Sequence, residues 1–268
     1  MKIKFLNAVL TCLILPLSFL ANAGLINVGV ISGGQATGND VVNQLNDDTF
    51  FDFNASLLSS VNADSLVELS AFDVLILGDS GHNDNGYTPA MYSAVRSFLE
   101  AGGGVVTTGW FNYATDPLSG QSAIDAEFIS PMKDDGYQYT SSGSTIVVST
   151  TPHEILNGIS DYQVTSNHHE LALGVDNGAV VLGTHNGKVA LAAQSNIGRS
   201  VYLGGQYMAS TSYNVSSLRS GTADQLLEQS VNWAANSSSV QDVPEPSTLA
   251  IFALGMIGLA SRQFKKQS

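Results

Sequence analysis

The densest group of polar side chains that could bind a ligand lies in residues 78–87, directly after an apolar segment. Four members of this loop are candidates: Asp79, Ser80, His82 and Asp84. Carboxylate oxygens are preferred ligands of hard cations, but the loop lacks the downstream bidentate Glu of a calcium-binding loop. Asp, Asn and Gly also favour turns, so the alternative is a turn without a ligand, which we favour. If the loop does bind a ligand, a sugar fits it as well as a metal ion.

Ser80 lies in an Asp-Ser-Gly-His run that has a superficial likeness to a serine hydrolase motif. A nucleophile elbow places a glycine two residues before the serine and another two residues after it. Gly78 meets the first condition, whereas His82 occupies the second position. We therefore keep Ser80 as a ligand-binding candidate and assign it no catalytic role.

A second candidate metal site is the Asn-His-His-Glu run at residues 167–170. Alternate residues of a strand share a face, so His168 and Glu170 would lie together while the adjacent histidines would point apart. Such a His and Glu pair could ligate a metal weakly, with Asp79 and Asp84 as the other candidate ligands. The alternative, a surface strand edge, is favoured. We expect no resident cofactor, although a divalent cation fits these residue types.

A third candidate is the Gly-Trp-Phe-Asn-Tyr run at residues 109–113. An exposed Trp110 would stack on a sugar ring, and the amide of Asn112 would hydrogen-bond its hydroxyls. Alternatively, Trp110 fills an interior pocket, and the residues leave both interpretations open. Gln206, after a later apolar segment, is a further ligand-binding candidate.

Both ends of the chain carry targeting segments. Residues 1–23 combine Lys2 and Lys4 with an apolar stretch and an Ala-Asn-Ala cleavage site, which predicts a secretory signal peptide. Residues 239–268 form a linker and a tripartite tag: a Pro-Glu-Pro triplet at 244–246, an apolar segment at 249–260 and a basic tail at 262–268. That apolar segment is far shorter than the ~20 residues of a stable membrane-spanning helix. We expect transient membrane contact with the basic tail inside the cell.

The body between the tags has the composition of one acidic domain, residues 24–238. With the C-terminal tag counted from Val243, five of the ten basic residues and one of the 23 acidic residues lie in the tags, so residues 24–242 carry 5 basic and 22 acidic residues, a net charge of −17. Such a surface repels nucleic acid. The only cysteine, Cys12, lies in the predicted signal peptide, so the body has no thiol nucleophile.

Apolar runs alternate with helical patterns through the first half of the body. They predict strands at 25–32, 50–58, 72–77 and 105–108, with helices at 39–45, at 64–70 and from Thr88-Pro89 onwards. This order indicates an α/β fold with a mostly parallel sheet flanked by helices. Further strands are predicted at 144–149, 164–173, 179–184, 189–194 and 199–204, several of them antiparallel, with a tight turn at Asn186-Gly187. A helix start is predicted at residues 151–154 and a last helix at 223–235.

Two resemblances follow from these patterns. The C-terminal tag resembles the PEP-CTERM signal, which implies an exosortase-type enzyme as processing partner. The body resembles the flavodoxin-like, class I glutamine amidotransferase-like fold of the trehalose-utilisation type. The segments that carry this likeness are residues 72–79, 98–106, 151–159, 198–205 and 231–234.

The body departs from that family at its reactive residues. The family's cysteine nucleophile would stand on the turn after residue 108, where this chain has Trp110, and its His-x-Glu pair would fall near Gln206. Amidotransferase chemistry is therefore nearly excluded. We expect an exported surface or matrix protein, leaning against an enzyme, whose domain associates with exopolysaccharide or a small sugar. The alternative is a metal-assisted enzyme that acts on a sugar or a related small molecule.

Overall fold

A computed structural model describes nine stretches of the chain: residues 25–32, 35–47, 49–59, 62–78, 87–115, 129–133, 135–166, 168–208 and 215–235. The predicted signal peptide, the sorting tag and four ligand candidates, Asp79, Ser80, His82 and Asp84, lie outside these residues.

Strands and helices alternate in the first half of the domain. The elements are β1 (Ile26–Ser32), α1 (Gln35–Leu45), β2 (Phe53–Ser59), α2 (Leu66–Leu69), β3 (Val74–Leu77), α3 (Pro89–Glu100), β4 (Gly104–Thr108) and α4 (Phe111–Thr115). Apart from α4, each corresponds to an element that the apolar pattern predicts.

The second half consists mainly of strands. They are β5 (Tyr137–Thr140), β6 (Thr145–Val148), β7 (Tyr162–Gln163), β8 (His169–Ala172), β9 (Val180–His185), β10 (Lys188–Gln194) and β11 (Arg199–Leu203). Short 3-10 helices at Glu154–Leu156 and Val215–Leu218 precede the last helix, α5 (Gly221–Ala235).

The first five positions of the sheet form a parallel unit in the order β2-β1-β3-β4-β11. This is the strand order 2-1-3-4-5 of flavodoxin-like folds, so the predicted α/β class is confirmed. The sheet continues from β11 through antiparallel β10, β9, β6 and β7. Strand β8 also pairs with β10 and carries β5 on its other edge.

Helices cover both faces of the parallel unit, because successive strand residues point to opposite sides. Val28 and Val30 of β1 pack in the cluster that contains residues of α1 and α5. Ile31 packs in a second cluster, which contains residues of α3 and Phe111 of α4. Strands β3 and β4 are buried along their whole length, as near-continuous apolar runs predict.

Local signals set the ends of several elements. The side chain of Thr88 accepts a hydrogen bond from the Met91 N–H, and Pro89 is the first residue of α3, as predicted. Asn186 and Gly187 both have positive φ, 49° and 76°, which is the tight hairpin turn expected between β9 and β10.

Two predictions for the second half were wrong. The strand predicted at 164–173 is confined to β8, His169–Ala172; before it, Ser166 Oγ donates a hydrogen bond to the carbonyl oxygen of His168 at 2.7 Å. The helix predicted to start at residues 151–154 is a three-residue 3-10 helix, capped by His153 rather than Thr151.

Candidate functional site

A sharp turn at the carboxyl end of β4 forms the centre of the site. Strand β4 ends at Thr108, Gly109 and Trp110 form the turn, and α4 begins at Phe111. Trp110 has φ of 69°, a left-handed conformation that costs a non-glycine residue roughly 1–2 kcal/mol. A Cβ on Gly109 would lie 2.5 Å from the Gly204 carbonyl oxygen, so only glycine fits beside β11. This is a strand-turn-helix elbow with an indole where an enzyme would carry its nucleophile.

The side chain of Trp110 is buried, with 7% of its surface exposed, so of the two interpretations that the sequence leaves open the structure supports an indole that fills an interior pocket. Its ring centroid lies 5.3 Å from that of Tyr113 and 5.9 Å from that of Tyr137. It also lies 6.3 Å from that of Tyr139 and 6.2 Å from that of His168. We call these five residues the aromatic patch. Tyr139 is its exposed member, at 56%, and its ring centroid lies 5.0 Å from that of His168.

The carboxylate of Glu170 lies behind the patch and holds the elbow. Its Oε1 accepts a hydrogen bond from the Tyr113 N–H at 2.8 Å, and its Oε2 accepts one from the Asn112 N–H at 3.3 Å. The backbone N–H of Trp110 also donates to this carboxylate. The Tyr202 hydroxyl of β11 donates to Oε2 at 2.9 Å. Glu170 thus ties α4, β8 and β11 together at one point.

Burial dominates the electrostatics of Glu170, which has no solvent-exposed surface. Desolvation raises the pKa of its carboxyl group to about 7, against the opposing effect of the hydrogen bonds from Tyr113, Tyr202, Asn112 and Trp110. The carboxyl group therefore changes charge near neutral pH. The interpretation of this segment as a surface strand edge was wrong.

The neighbouring histidines occupy different environments. His169 is buried against Gly204, and desolvation, followed by the nearby His185, lowers its pKa to about 3, so it is neutral at ordinary pH. His168 lies outside β8 and packs on Tyr139, so it does not share a strand face with Glu170 as predicted. Within the described ranges, no group of three or more His, Cys, Asp or Glu side chains could hold a metal ion.

The remaining predicted candidates lie next to the elbow. Asn112 is buried, with its backbone N–H directed at Glu170. Gln206 has no exposed surface, and its Cγ lies close to the position that a Cβ on Gly109 would occupy. Among described residues, neither polar atom of the Gln206 side chain has a hydrogen-bond partner, and the same holds for Thr108 Oγ1. The structure therefore brings Trp110, Asn112, His168, Glu170 and Gln206 to one end of the sheet.

Sequence reasoning did not identify Tyr137, Tyr139 and Tyr202. The alternation Tyr-Gln-Tyr at 137–139 is a strand signal that could have revealed β5 and its two rings on one face. Tyr202 lies in a predicted strand, but only its pairing beside β4 shows that it reaches Glu170.

A separate cavity of about 490 Å³ lies under the first turn of α5 and shares no residue with the aromatic patch. Leu191, Leu203, Leu218 and Leu226 contribute apolar wall, with Tyr162 and Tyr207 beside them. The chemistry expected from the sequence is concentrated at the elbow, so we take the elbow rather than this cavity as the candidate site.

Comparison with known proteins identifies the tag and the fold. Residues 242–266 match the PEP-CTERM protein-sorting motif. No curated protein sequence matches the chain. A cytoplasmic protein of Salmonella typhimurium superposes with a TM-score of 0.59 and 16% identity, over 77% of this chain and 98% of its own. A ThuA-like protein from Parabacteroides merdae superposes with a TM-score of 0.51 and 14% identity, over 82% and 93% of the two chains.

These likenesses show the fold alone, because the sequence identities are low. They confirm the flavodoxin-like α/β fold that the sequence indicates, and the ThuA-like protein shares it. The sorting motif implies export and exosortase processing at the membrane. In the part of the chain that the structure describes, no helix is long and apolar enough to cross a bilayer.

Proposed function

We propose that this exported domain is a non-catalytic carbohydrate-binding module of the cell surface or extracellular matrix. The observation that carries the proposal is the aromatic patch, with its half-exposed Tyr139 ring supported by His168 and Trp110. Aromatic rings of this kind offer sugar rings an apolar face together with a polar tip. The proposed ligand is exopolysaccharide or a small sugar.

The chemistry of the elbow supports a binding role over catalysis. Trp110 has no nucleophilic atom for acyl transfer. The backbone N–H groups of Asn112 and Tyr113, at the start of α4, donate to Glu170. Donors that are already bonded to a carboxylate do not stabilise a developing oxyanion. The fold thus keeps the shape of a reactive elbow while its polar groups stabilise the protein itself.

The two targeting segments supply the destination in this proposal. The signal peptide takes the chain across the inner membrane, and the segment 249–260 contacts the bilayer transiently while an exosortase-type enzyme acts on the tag. Processing then leaves the domain at the cell surface or outside the cell. The alternative is a metal-assisted enzyme that acts on a sugar or a related small molecule; of its candidate residues, Asp79, His82 and Asp84 lie outside the described residues, and His168 packs on Tyr139.

The proposal is tested with a chain that begins at residue 24. Its retention on exopolysaccharide of the producing strain is measured by affinity electrophoresis, and a glycan array then surveys other sugars. Tyr139→Ala should weaken retention by about tenfold, since one exposed stacking ring is lost. Phe50→Ala is the matched control, because Phe50 is an aromatic residue of similar exposure, 43%, just before β2 and thus at the opposite edge of the sheet. Both changes are at exposed positions and should leave folding intact.

Two results would argue against the carbohydrate proposal. One is the absence of any retained glycan for the unmodified chain. The other is equal loss of retention in Tyr139→Ala and Phe50→Ala, which would mean that the patch has no special part in binding.

A further inference from the structure

Glu170 connects the protein interior to the aromatic patch. Its carboxylate accepts the N–H groups of Trp110, Asn112 and Tyr113, so it bonds the backbone of the two patch residues that lie on the elbow. On the other side of the patch, Glu170 pairs directly with Tyr139 across the ladder between β5 and β8. Two of the five patch residues, Trp110 and Tyr113, therefore donate backbone N–H groups to the Glu170 carboxylate, and a third, Tyr139, lies opposite Glu170 in the ladder.

We propose that Glu170 is the positioning residue of the aromatic patch, and that loss of its negative charge loosens the elbow and weakens carbohydrate binding. The binding half of this inference rests on the function proposed above, whereas the effect on the elbow does not. Hydrogen bonds to an ionised carboxylate are roughly twice as strong as those to a neutral group. A protonated Glu170 would thus hold the three N–H groups less firmly.

The surroundings of Glu170 contain few other charged groups that could shift the pKa of its carboxyl group. The elements packed against it contribute phenols: Tyr113 from α4, Tyr139 from β5 and Tyr202 from β11. Strand β10 contributes Lys188, next to Val189, which pairs with Ala172 at the far end of β8. In the chain itself His168 and His169 directly precede Glu170.

The direction of the pH dependence follows from the carboxyl group. Burial raises the pKa of Glu170 to about 7, so the folded protein has the charged form above that pH and the neutral form below it. His169 does not compete in this range, because its pKa is lowered to about 3. The patch should therefore be well positioned in mildly alkaline solution and looser in mildly acidic solution.

The emission of Trp110 tests the elbow without any ligand. The chain has two tryptophans, so Trp233→Phe provides a background in which Trp110 alone reports. Its fluorescence should change between about pH 5.5 and about pH 8.5 with one midpoint, near the pKa of the buried carboxyl group. Glu170→Gln should abolish the change.

Glu228→Gln is the matched control for Glu170→Gln. Glu228 is also fully buried, its pKa is also raised to about 7, mainly by desolvation, and it accepts two backbone N–H groups, those of Phe50 and Phe51. This variant should keep the Trp110 titration. His168→Asn distinguishes the effect of Glu170 from that of His168, whose ring also lies near Trp110. If the pH-dependent change in Trp110 fluorescence disappears in His168→Asn and persists in Glu170→Gln, the proposal is overturned.

Tyr202→Phe covers the case in which Glu170→Gln does not fold. The Tyr202 hydroxyl stabilises the charged carboxylate, so its removal should move the midpoint of the Trp110 titration to higher pH. An unchanged midpoint would contradict the proposal.

Retention on exopolysaccharide of the producing strain supplies the binding measurement. It should weaken by about tenfold as the pH falls through the same midpoint, and Glu170→Gln should reduce it by about tenfold above the midpoint while changing it little below. A Trp110 titration without any retention would leave the positioning role intact and refute carbohydrate binding. Retention that does not vary with pH, in a chain whose Trp110 does not titrate, would refute the positioning role and leave carbohydrate binding intact.

Discussion

The left-handed backbone at Trp110 predicts an unusual order of stability between two truncations of this residue. In a helix or strand, a glycine variant is normally less stable than the alanine variant. At a φ of 69° alanine keeps the Cβ clash of the left-handed region, whereas glycine does not. We expect Trp110→Gly to be the more stable of the two.

The free energies of unfolding of the two variants contain a packing loss that both share and a backbone contribution that differs between them. Either truncation loses the packing of a side chain that is 7% exposed, and should cost about 3–5 kcal/mol. The backbone term should favour glycine by about 1 kcal/mol. Trp233 is the control, since it is 8% exposed and lies inside α5. There, Trp233→Gly should be less stable than Trp233→Ala by about 1 kcal/mol.

Urea unfolding of the four variants, followed by far-UV circular dichroism, measures both differences. The comparison is insensitive to the uncertain cost of losing an indole, because that cost cancels within each pair. The reasoning is refuted if Trp110→Ala is as stable as Trp110→Gly while the pair at Trp233 shows its ordinary order. Equal slopes against urea concentration would show that each difference is one of stability.

Three further predictions concern single side chains. Because the pKa of Glu228 is raised by burial to about 7 from an ordinary value near 4.5, its favourable contribution to stability is present at acid pH and is lost as the pH rises through 7. Glu228→Gln should therefore raise the free energy of unfolding more at about pH 8 than at about pH 5, and thermal melts at both pH values check this. Gln206→Met should stabilise the ligand-free protein by about 1 kcal/mol, since the buried amide has no hydrogen-bond partner among the described residues; a lower melting temperature would contradict this. Thr88→Ala should cost about 1 kcal/mol in urea unfolding, because it removes the cap on the Met91 N–H, and Thr88→Ser should restore most of that loss.

The parallel half of the fold could be predicted because its signals are local. Strands β1, β3 and β4 are continuous apolar runs. Helix α3 is predicted by the Thr88-Pro89 start and by apolar residues that recur at helical spacing. Alternation of such elements permits few topologies. Strand β5 was missed because it has only four residues and none of them is fully buried.

The role of Glu170 could not be predicted, because its partners are remote in the sequence. Tyr113 and Asn112 lie 57 and 58 residues before it, and Tyr202 lies 32 residues after it. Alternation along a strand predicted that His168 and Glu170 share a face, but the strand begins at His169 and leaves His168 outside it. No local pattern in the sequence shows which helix start the Glu170 carboxylate reaches. The position of Trp110 was predictable from the family likeness, whereas its burial depends on rings from β5 that the sequence reading had not placed.

The last turn of helix α5 and the aromatic patch lie at opposite ends of the parallel strands. That turn lies at the amino ends of the strands: a Cβ on Gly104 would lie 2.4 Å from the Ala234 carbonyl oxygen, and Arg199 donates a hydrogen bond to the Trp233 carbonyl oxygen at 2.8 Å. The elbow with Trp110 lies at the carboxyl ends of the same strands. The last described residues before the tag therefore lie at one end of the sheet, and the aromatic patch lies at the other. In the function proposed above, a chain held by its C-terminal tag would present the patch on the side opposite its attachment.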